Sequence, residues 1–266
     1  MTTIDVPGAR LYYEQRGSGP LLMVIGSPMD STGFTQLAEA MSDAYTVVTY
    51  DPRGIGNSTR EDDDADITPE VQAGDVHHLI EALGGGPVDY FGSSGGATVG
   101  LALVQAHPED VRTLVAHEPP LMQLLDDSAE QLAAIDRIYQ TYLEAGSGPA
   151  MMMFMKHIGV LGEGDAPRWE PTPEQAARME ATNKVFYEHI IRQTTAFRPS
   201  LEALRAAPTR IVVGVGETSQ GQLAHRTGVA FADWFGVTPV EFPGDHGGFI
   251  PLAEPFSKVL KDRLAG

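Results

Sequence analysis

Short apolar runs alternate with amphipathic segments over most of the chain. Residues 21–25 form a continuous apolar run, which is typical of a strand covered on both faces. Comparable runs occupy residues 45–50, 88–91, 111–117 and 210–215, and segments with helical spacing of apolar residues separate several of them. This order predicts an α/β fold, with a mostly parallel central sheet and helices on both of its faces.

The alternation breaks after residue 120. Residues 121–205 are helical by pattern, and two signatures in this block predict capping boxes, Ser128 with Gln131 and Thr172 with Gln175. Alternating strands and helices resume near residue 210. We therefore predict a core domain made of residues 1–120 and 206–266, and a helical cap insertion, residues 121–205, lying over the sheet.

Charge and composition narrow the classes of partner. The formal net charge of −18 over 266 residues disfavours nucleic acid and anionic membrane surfaces as partners. No apolar run is long enough to cross a bilayer, the first residues do not resemble a secretory signal, and the sequence contains no cysteine. We expect a cytoplasmic globular protein with a small-molecule partner, and assembly into a homo-oligomer stays open.

One motif carries candidate chemistry. A Gly-x-Ser-x-Gly pattern occupies residues 92–96, between an apolar β run and a helical run, which is the context in which the pattern indicates a nucleophilic serine. Glycine has no Cβ atom, so the strand and the helix can approach closely around the turn. Ser94 is the predicted nucleophile. Ser93 is the weaker candidate, because Phe91 would then occupy the first glycine position.

A serine hydroxyl needs a base, and the base needs a third group to orient it. His246 follows a predicted strand and precedes the last predicted helix, whereas most other histidines lie in helical patterns. Because sites in parallel sheets lie at the carboxyl ends of strands, the residues expected to converge there are Ser27, Ser94, Glu118, Glu217 and His246.

The order of serine, acid and histidine is the order found in α/β-hydrolases. Together with Asp51-Pro52-Arg53-Gly54-Ile55-Gly56-Asn57-Ser58 after a strand and Asp245-His246-Gly247 near the C-terminus, the serine motif identifies the chain as a member of that superfamily. The resemblance implies an α/β-hydrolase fold and a catalytic triad. It also implies an oxyanion hole, for which we expect the backbone N–H groups of Ser27 and Gly95.

The sequence departs from these relatives at the triad acid. They usually carry an aspartate three residues after a glycine at the end of the penultimate strand, and here that position is Ser219, which cannot be charged. Some members of the superfamily take the acid from the strand before the cap instead, where this chain has Glu118. We predict Glu118 as the acid, with Glu217 as the alternative.

These residues predict a serine hydrolase that cleaves a carboxylic ester, a lactone or a related small acyl compound through an acyl-enzyme intermediate. No metal or organic cofactor is required for that chemistry. Two alternatives stay open: a relative that uses the same triad for cofactor-free perhydrolysis, halogenation or non-hydrolytic biosynthesis, and a ligand-binding protein with a hydrolase fold. Predicted substrate contacts are Met29, Met152, Met153 and Phe154, although the methionine run can equally be core packing.

Overall fold

A mixed, nine-stranded sheet runs through the protein, whose computed structural model describes residues 2–162 and 171–266. Its main path has the order β1-β2-β4-β3-β6-β7-β8-β9, with β5 paired to β2; β1, β2 and β5 are antiparallel to their neighbours and the others are parallel. The strands are β1 Thr2–Val6, β2 Ala9–Arg16, β3 Leu21–Ile25, β4 Thr46–Tyr50, β5 Thr59–Arg60, β6 Val88–Ser93, β7 Val111–His117, β8 Arg210–Gly216 and β9 Val240–Phe242.

Helices cover both faces of this sheet, which confirms the predicted fold class. They are α1 Thr35–Met41, α2 Pro69–Ala82, α3 Gly95–Ala106, α4 Ser128–Ala145, α5 Ser147–Ile158, α6 Pro173–Val185, α7 Ile191–Thr195, α8 Leu201–Ala206, α9 Leu223–Phe235 and α10 Ala253–Leu264. A π-helix, Phe186–Ile190, joins α6 to α7. Among the helices of the described ranges, none combines the length and the apolar character needed to span a membrane.

The alternation of side chains along the strands divides the core into two layers. In β3, Leu22 and Val24 pack with α1 and α10 on one face, while Met23 and Ile25 pack with α2 and α3 on the other. Both layers are needed because a parallel strand is buried on both sides, which explains the continuous apolar run in the sequence. The carboxyl ends of the parallel strands lie at one edge of the sheet, and the residues of the site described below follow these ends.

A third apolar cluster belongs to the helices between β7 and β8. Ile135, Ile138 and Ile190 are among its fully buried members, and it packs against Ile55 and Leu223 of the remaining fold. The segment therefore contributes most members of this cluster and shares it with residues of the remaining fold. The division at residues 120 and 206 stays a prediction, and residues 163–170 of the segment lie outside the described residues.

The two predicted capping boxes have different outcomes. The box of Thr172 and Gln175 is confirmed, with both reciprocal hydrogen bonds present. The box at Ser128 is wrong, because Asp127 occupies the N-cap position and Ser128 is already the first helical residue. Gln131 instead donates its side-chain amide to the Asp127 carboxylate at 2.7 Å.

Candidate active site

The predicted nucleophile lies on a sharp turn between β6 and α3. Ser94 has φ 54° and ψ −124°, a conformation that non-glycine residues rarely adopt, and α3 begins at the next residue. A Cβ atom on Gly92 would lie 2.5 Å from the carbonyl oxygen of Gly96, and one on Gly96 would collide with the carbonyl oxygen of Ile25. The glycines of the motif are therefore required by the close approach of β6, α3 and the end of β3.

Ser93 and Ser94 have different surroundings. Ser93 is the last residue of β6, is buried, and has its hydroxyl 3.3 Å from Nδ1 of His117. Both serines line the cavity described below, as does His246, but Ser94 is only half-buried and is the more accessible of the two. The hydroxyl of Ser93 already has a partner in the core, so of the two serines Ser94 is the better placed to meet a ligand.

The predicted acid and the predicted base lie on two loops at the same sheet edge. His246 lies between β9 and α10, and its Nδ1 is 2.7 Å from Oε2 of Glu118, the residue directly after β7. Glu118 is fully buried and has a positive φ of 45°. Glu217, the alternative acid, is exposed, and the cavity lining does not include it. The geometry thus pairs Glu118, and not Glu217, with the predicted base.

The other oxygen of Glu118 is bound by β8 and the turn that follows it. Oε1 accepts the backbone N–H of Gly216 at 2.9 Å and the hydroxyl of Ser219. Burial by itself would raise the pKa of Glu118, but the hydrogen bond from His246, assisted by the two neighbouring imidazoles and the Gly216 N–H, lowers it to about 2. Glu118 is accordingly a carboxylate at neutral pH, and it can stabilise a positive charge on His246.

His117 is a second imidazole next to this pair, but it is not available as a base. It is fully buried among Phe91, Phe242 and Phe256, with its ring centroid 6.3 Å from that of His246. Burial lowers the pKa of His117 to about 4, so the ring is neutral at neutral pH. The cavity lining does not include His117, and Ser93 is its polar contact.

The predicted oxyanion donors lie beside each other. Gly95 is the first residue of α3, where a backbone N–H has no acceptor within its own helix. Ser27 follows β3, and a Cβ atom on Gly95 would collide with the Ser27 carbonyl oxygen, so the two loops are in contact. Both residues line the same cavity as Ser94. The two loops therefore lie side by side at the cavity that Ser94 lines, and their role as an oxyanion hole stays a prediction.

One cavity of about 330 Å³ contains these groups and is lined mainly by apolar side chains. Met29 and Phe154 line it as predicted, but Met152 and Met153 do not. Helix α5 instead presents Met151, Phe154, Met155 and Ile158, the i, i+3, i+4 and i+7 positions of one face. Met153 lies on another face and is 36% exposed, so the predicted contact residues Met152 and Met153 are not part of the cavity wall.

Several lining residues were missed by the sequence analysis. The π-helix and α7 contribute Phe186, Ile190, Ile191 and Thr194, and α1 is preceded by Phe34. In the sequence, the apolar residues Phe186, Ile190 and Ile191 have a helical spacing. It marks a buried face, but it does not distinguish a cavity wall from close-packed core.

Among the described residues, three groups bring potential metal-ligand atoms within 4.8 Å of one another: His77, His107 and Asp110; His77, His78 and Glu81; and His117, Glu118 and His246. The first two lie outside the cavity lining, on α2 and the turn after α3. In the third, the donors of His246, Gly216 and Ser219 already occupy both oxygens of Glu118. The geometry of that group fits an acid–base pair better than a metal site.

Comparison with known proteins assigns the chain to a family. A family model described as alpha/beta hydrolase fold matches residues 19–187, and the chain belongs to that family. The chain is 30% identical to an uncharacterized hydrolase, YraK, of Bacillus subtilis (strain 168), over 98% of this chain and 95% of that protein. It is 24% identical to a zearalenone hydrolase of Bionectria ochroleuca, over 97% and 96%.

Solved structures agree on the fold. A thermophilic esterase from Thermogutta terrifontis superposes with a TM-score of 0.76 at 20% identity, and the match covers all of this chain and 98% of the esterase. The family and these relatives together support a hydrolase.

Proposed function

We propose that the protein is a serine hydrolase that cleaves a carboxylic ester, a lactone or a related small acyl substrate through an acyl-enzyme. The observation that carries this proposal is the contact of buried Glu118 with partly buried His246, at 2.7 Å, in the lining of the same cavity as the strained Ser94. Acyl transfer by a serine requires a nucleophilic hydroxyl, an imidazole base and a carboxylate that orients the base. Here three strand ends supply these groups, with the hydroxyl at a tight turn.

In the proposed reaction, His246 takes the hydroxyl proton of Ser94 through Nε2 while the Ser94 oxygen attacks the substrate carbonyl. The Nδ1–H of His246 meanwhile donates to Glu118, which fixes the tautomer and stabilises the imidazolium. The N–H groups of Ser27 and Gly95 bind the developing oxyanion. His246 then protonates the departing alcohol oxygen, and a water that it deprotonates hydrolyses the acyl-enzyme and frees Ser94.

The cavity indicates an uncharged and largely apolar substrate. Apart from Glu118, Asp245 and His246, no ionisable side chain lines the cavity within the described residues. Carboxylates and phosphates would have no lysine or arginine there to offset their desolvation. Two of the similar proteins are named as an esterase and as a zearalenone hydrolase, which supports hydrolysis as the class of reaction.

We assign the walls of the cavity opposite the sheet to the proposed cap insertion. Met151 and Phe154 of α5 line the cavity with Phe186 and Ile190 of the π-helix, and the loops that carry Ser94 and His246 line it as well. In this arrangement the sheet domain supplies the chemistry and the insertion sets the size of the substrate.

A panel of p-nitrophenyl esters tests the proposal. Ser94→Ala should reduce turnover by roughly 10⁴ to 10⁶, because the nucleophile is lost while the fold is kept. The neighbouring Ser93→Ala is the matched control and should stay near the wild-type rate, since Ser93 contacts His117 rather than His246. Full activity in Ser94→Ala would refute the serine mechanism.

A further inference from the structure

Ser219 is a buried hydroxyl in direct contact with the predicted acid. It is fully buried in the turn after β8, and its Oγ lies within hydrogen-bond distance of Glu118 Oε1 and 2.9 Å from the carbonyl oxygen of Gly216. A hydroxyl has one proton to donate, and a carboxylate is a stronger acceptor than a carbonyl. The proton of Ser219 therefore goes to Glu118.

The orientation of the Glu118 carboxylate depends on such hydrogen bonds more than that of a shorter acid would. The residue follows β7 directly, and its side chain extends to the end of β8, where the carboxylate accepts the Gly216 N–H. The backbone of Glu118 has a positive φ. A glutamate has one more rotatable side-chain bond than an aspartate, so the direction of Oε2 depends on what holds Oε1. Among the described residues, the Gly216 N–H and the Ser219 hydroxyl are the two groups that donate to Oε1.

The two donors differ in what they can do. The Gly216 N–H belongs to β8 and is fixed by the sheet, so it gives one point of attachment. One hydrogen bond still allows a carboxylate to rotate about that contact, whereas a second donor on the same oxygen fixes its plane. With the plane fixed, Oε2 is directed at Nδ1 of His246, 2.7 Å away.

We propose that Ser219 is a positioning residue for the catalytic pair, which orients Glu118 toward His246 without touching the substrate. This inference rests on the proposed function for its effect on turnover, but the contact itself is independent of any substrate. Loss of the hydroxyl should leave Glu118 charged but free to turn, so that His246 spends less time in the orientation that serves Ser94.

Ser219→Ala tests this directly, with Ser257→Ala as the matched control. Ser257 is also a buried serine with a hydroxyl bound to a carbonyl oxygen, that of Glu254, but it lies on α10 away from the pair. Both variants remove one buried hydroxyl, and both are smaller than the native residue, so neither introduces a clash. Thermal unfolding of each variant shows that it is folded before it is assayed.

Two readouts decide the outcome. In substrate-free protein, the ¹H resonance of the proton on His246 Nδ1, assigned by its loss in His246→Gln, reports the contact with Glu118. In ester hydrolysis, kcat and KM are measured separately. We expect Ser219→Ala to move or broaden the resonance and to lower kcat by roughly ten- to a hundredfold with KM little changed, as for a lost charge-assisted hydrogen bond. Ser257→Ala should do neither.

The inference is overturned if the resonance keeps its position in Ser219→Ala, whatever happens to kcat. Where hydrolysis depends on Ser94, it is also overturned if kcat is the same as in the control. Failure of the proposed function has a different signature, namely ester hydrolysis that persists in Ser94→Ala. The resonance requires no turnover, so it decides the role of Ser219 in either case.

Discussion

Burial of His117 should make the protein lose stability as the pH falls from 7 to 5. The ring lies in an aromatic box of Phe91, Phe242 and Phe256, and burial holds its pKa near 4, against 6.5 for an exposed histidine. The unfolded chain binds a proton on His117 below pH 6.5, while the folded protein binds it only below about pH 4. Between these values protonation favours the unfolded state, so the free energy of unfolding rises with pH.

The size of the effect follows from the two pKa values. One pKa unit corresponds to about 1.4 kcal/mol, and about one and a half units separate pH 5 from the unfolded value, so the free energy of unfolding should fall by about 2 kcal/mol between pH 7 and pH 5. Below pH 4 both states carry the proton, and this contribution no longer changes. Glu118 acts in a different window: its stabilisation is complete above pH 4.5 and is lost as the pH falls toward 2.

Urea unfolding at pH 7 and pH 5 measures this contribution. The change between the two pH values should be smaller in His117→Gln than in the wild-type protein by about 2 kcal/mol, even though the substitution itself alters stability at pH 7. His78→Gln, at a half-exposed position on α2, is the control and should retain the wild-type change. Equal losses in the wild-type protein and in His117→Gln would refute the assignment of this pH dependence to His117.

Further predictions concern the acid, the cavity wall and the turn. Glu118→Gln should lower kcat for ester hydrolysis by roughly 10³ to 10⁴, because the correct imidazole tautomer is lost. Glu217→Gln, at an exposed position, should leave kcat near the wild-type value. The reverse ranking would identify Glu217 as the acid. Met155→Ala, but not Met153→Ala, should shift the preference of kcat/KM toward longer acyl chains, by roughly fourfold per added methylene; equal profiles would contradict the cavity geometry. Gly96→Ala should lower the melting temperature, because its Cβ meets the Ile25 carbonyl, whereas Gly148→Ala in α5 has free space and should raise it slightly; similar shifts would speak against the tight turn.

Much of this architecture could be predicted from the sequence because its signals are local. The apolar run of β3 is continuous because the strand is buried on both faces. The Gly-x-Ser-x-Gly pattern is needed because the close approach around the turn leaves no room for a Cβ atom at the glycines. The convergence of Ser94, Glu118 and His246 follows from the rule that parallel strands end at one sheet edge.

Features that depend on tertiary packing could not be predicted in the same way. In the run Met151–Met155 every residue is apolar, so the sequence has no periodicity from which to choose the face that α5 turns to the cavity. Likewise Ser128 has the right spacing for a capping box, but Asp127, which also binds Arg226 of α9 at 2.7 Å, takes the N-cap position. The partner of Ser219 is Glu118, 101 residues away, and that pairing is visible only in the folded chain.

The most direct test of the serine mechanism is the site of covalent labelling by a fluorophosphonate, located by mass spectrometry of the digested protein. We expect a single adduct on Ser94 in the native protein, formed much more slowly in His246→Gln and not formed after unfolding, because only the folded arrangement activates this hydroxyl. An adduct on Ser93 instead, or labelling of Ser94 at the same rate without His246, would contradict the account.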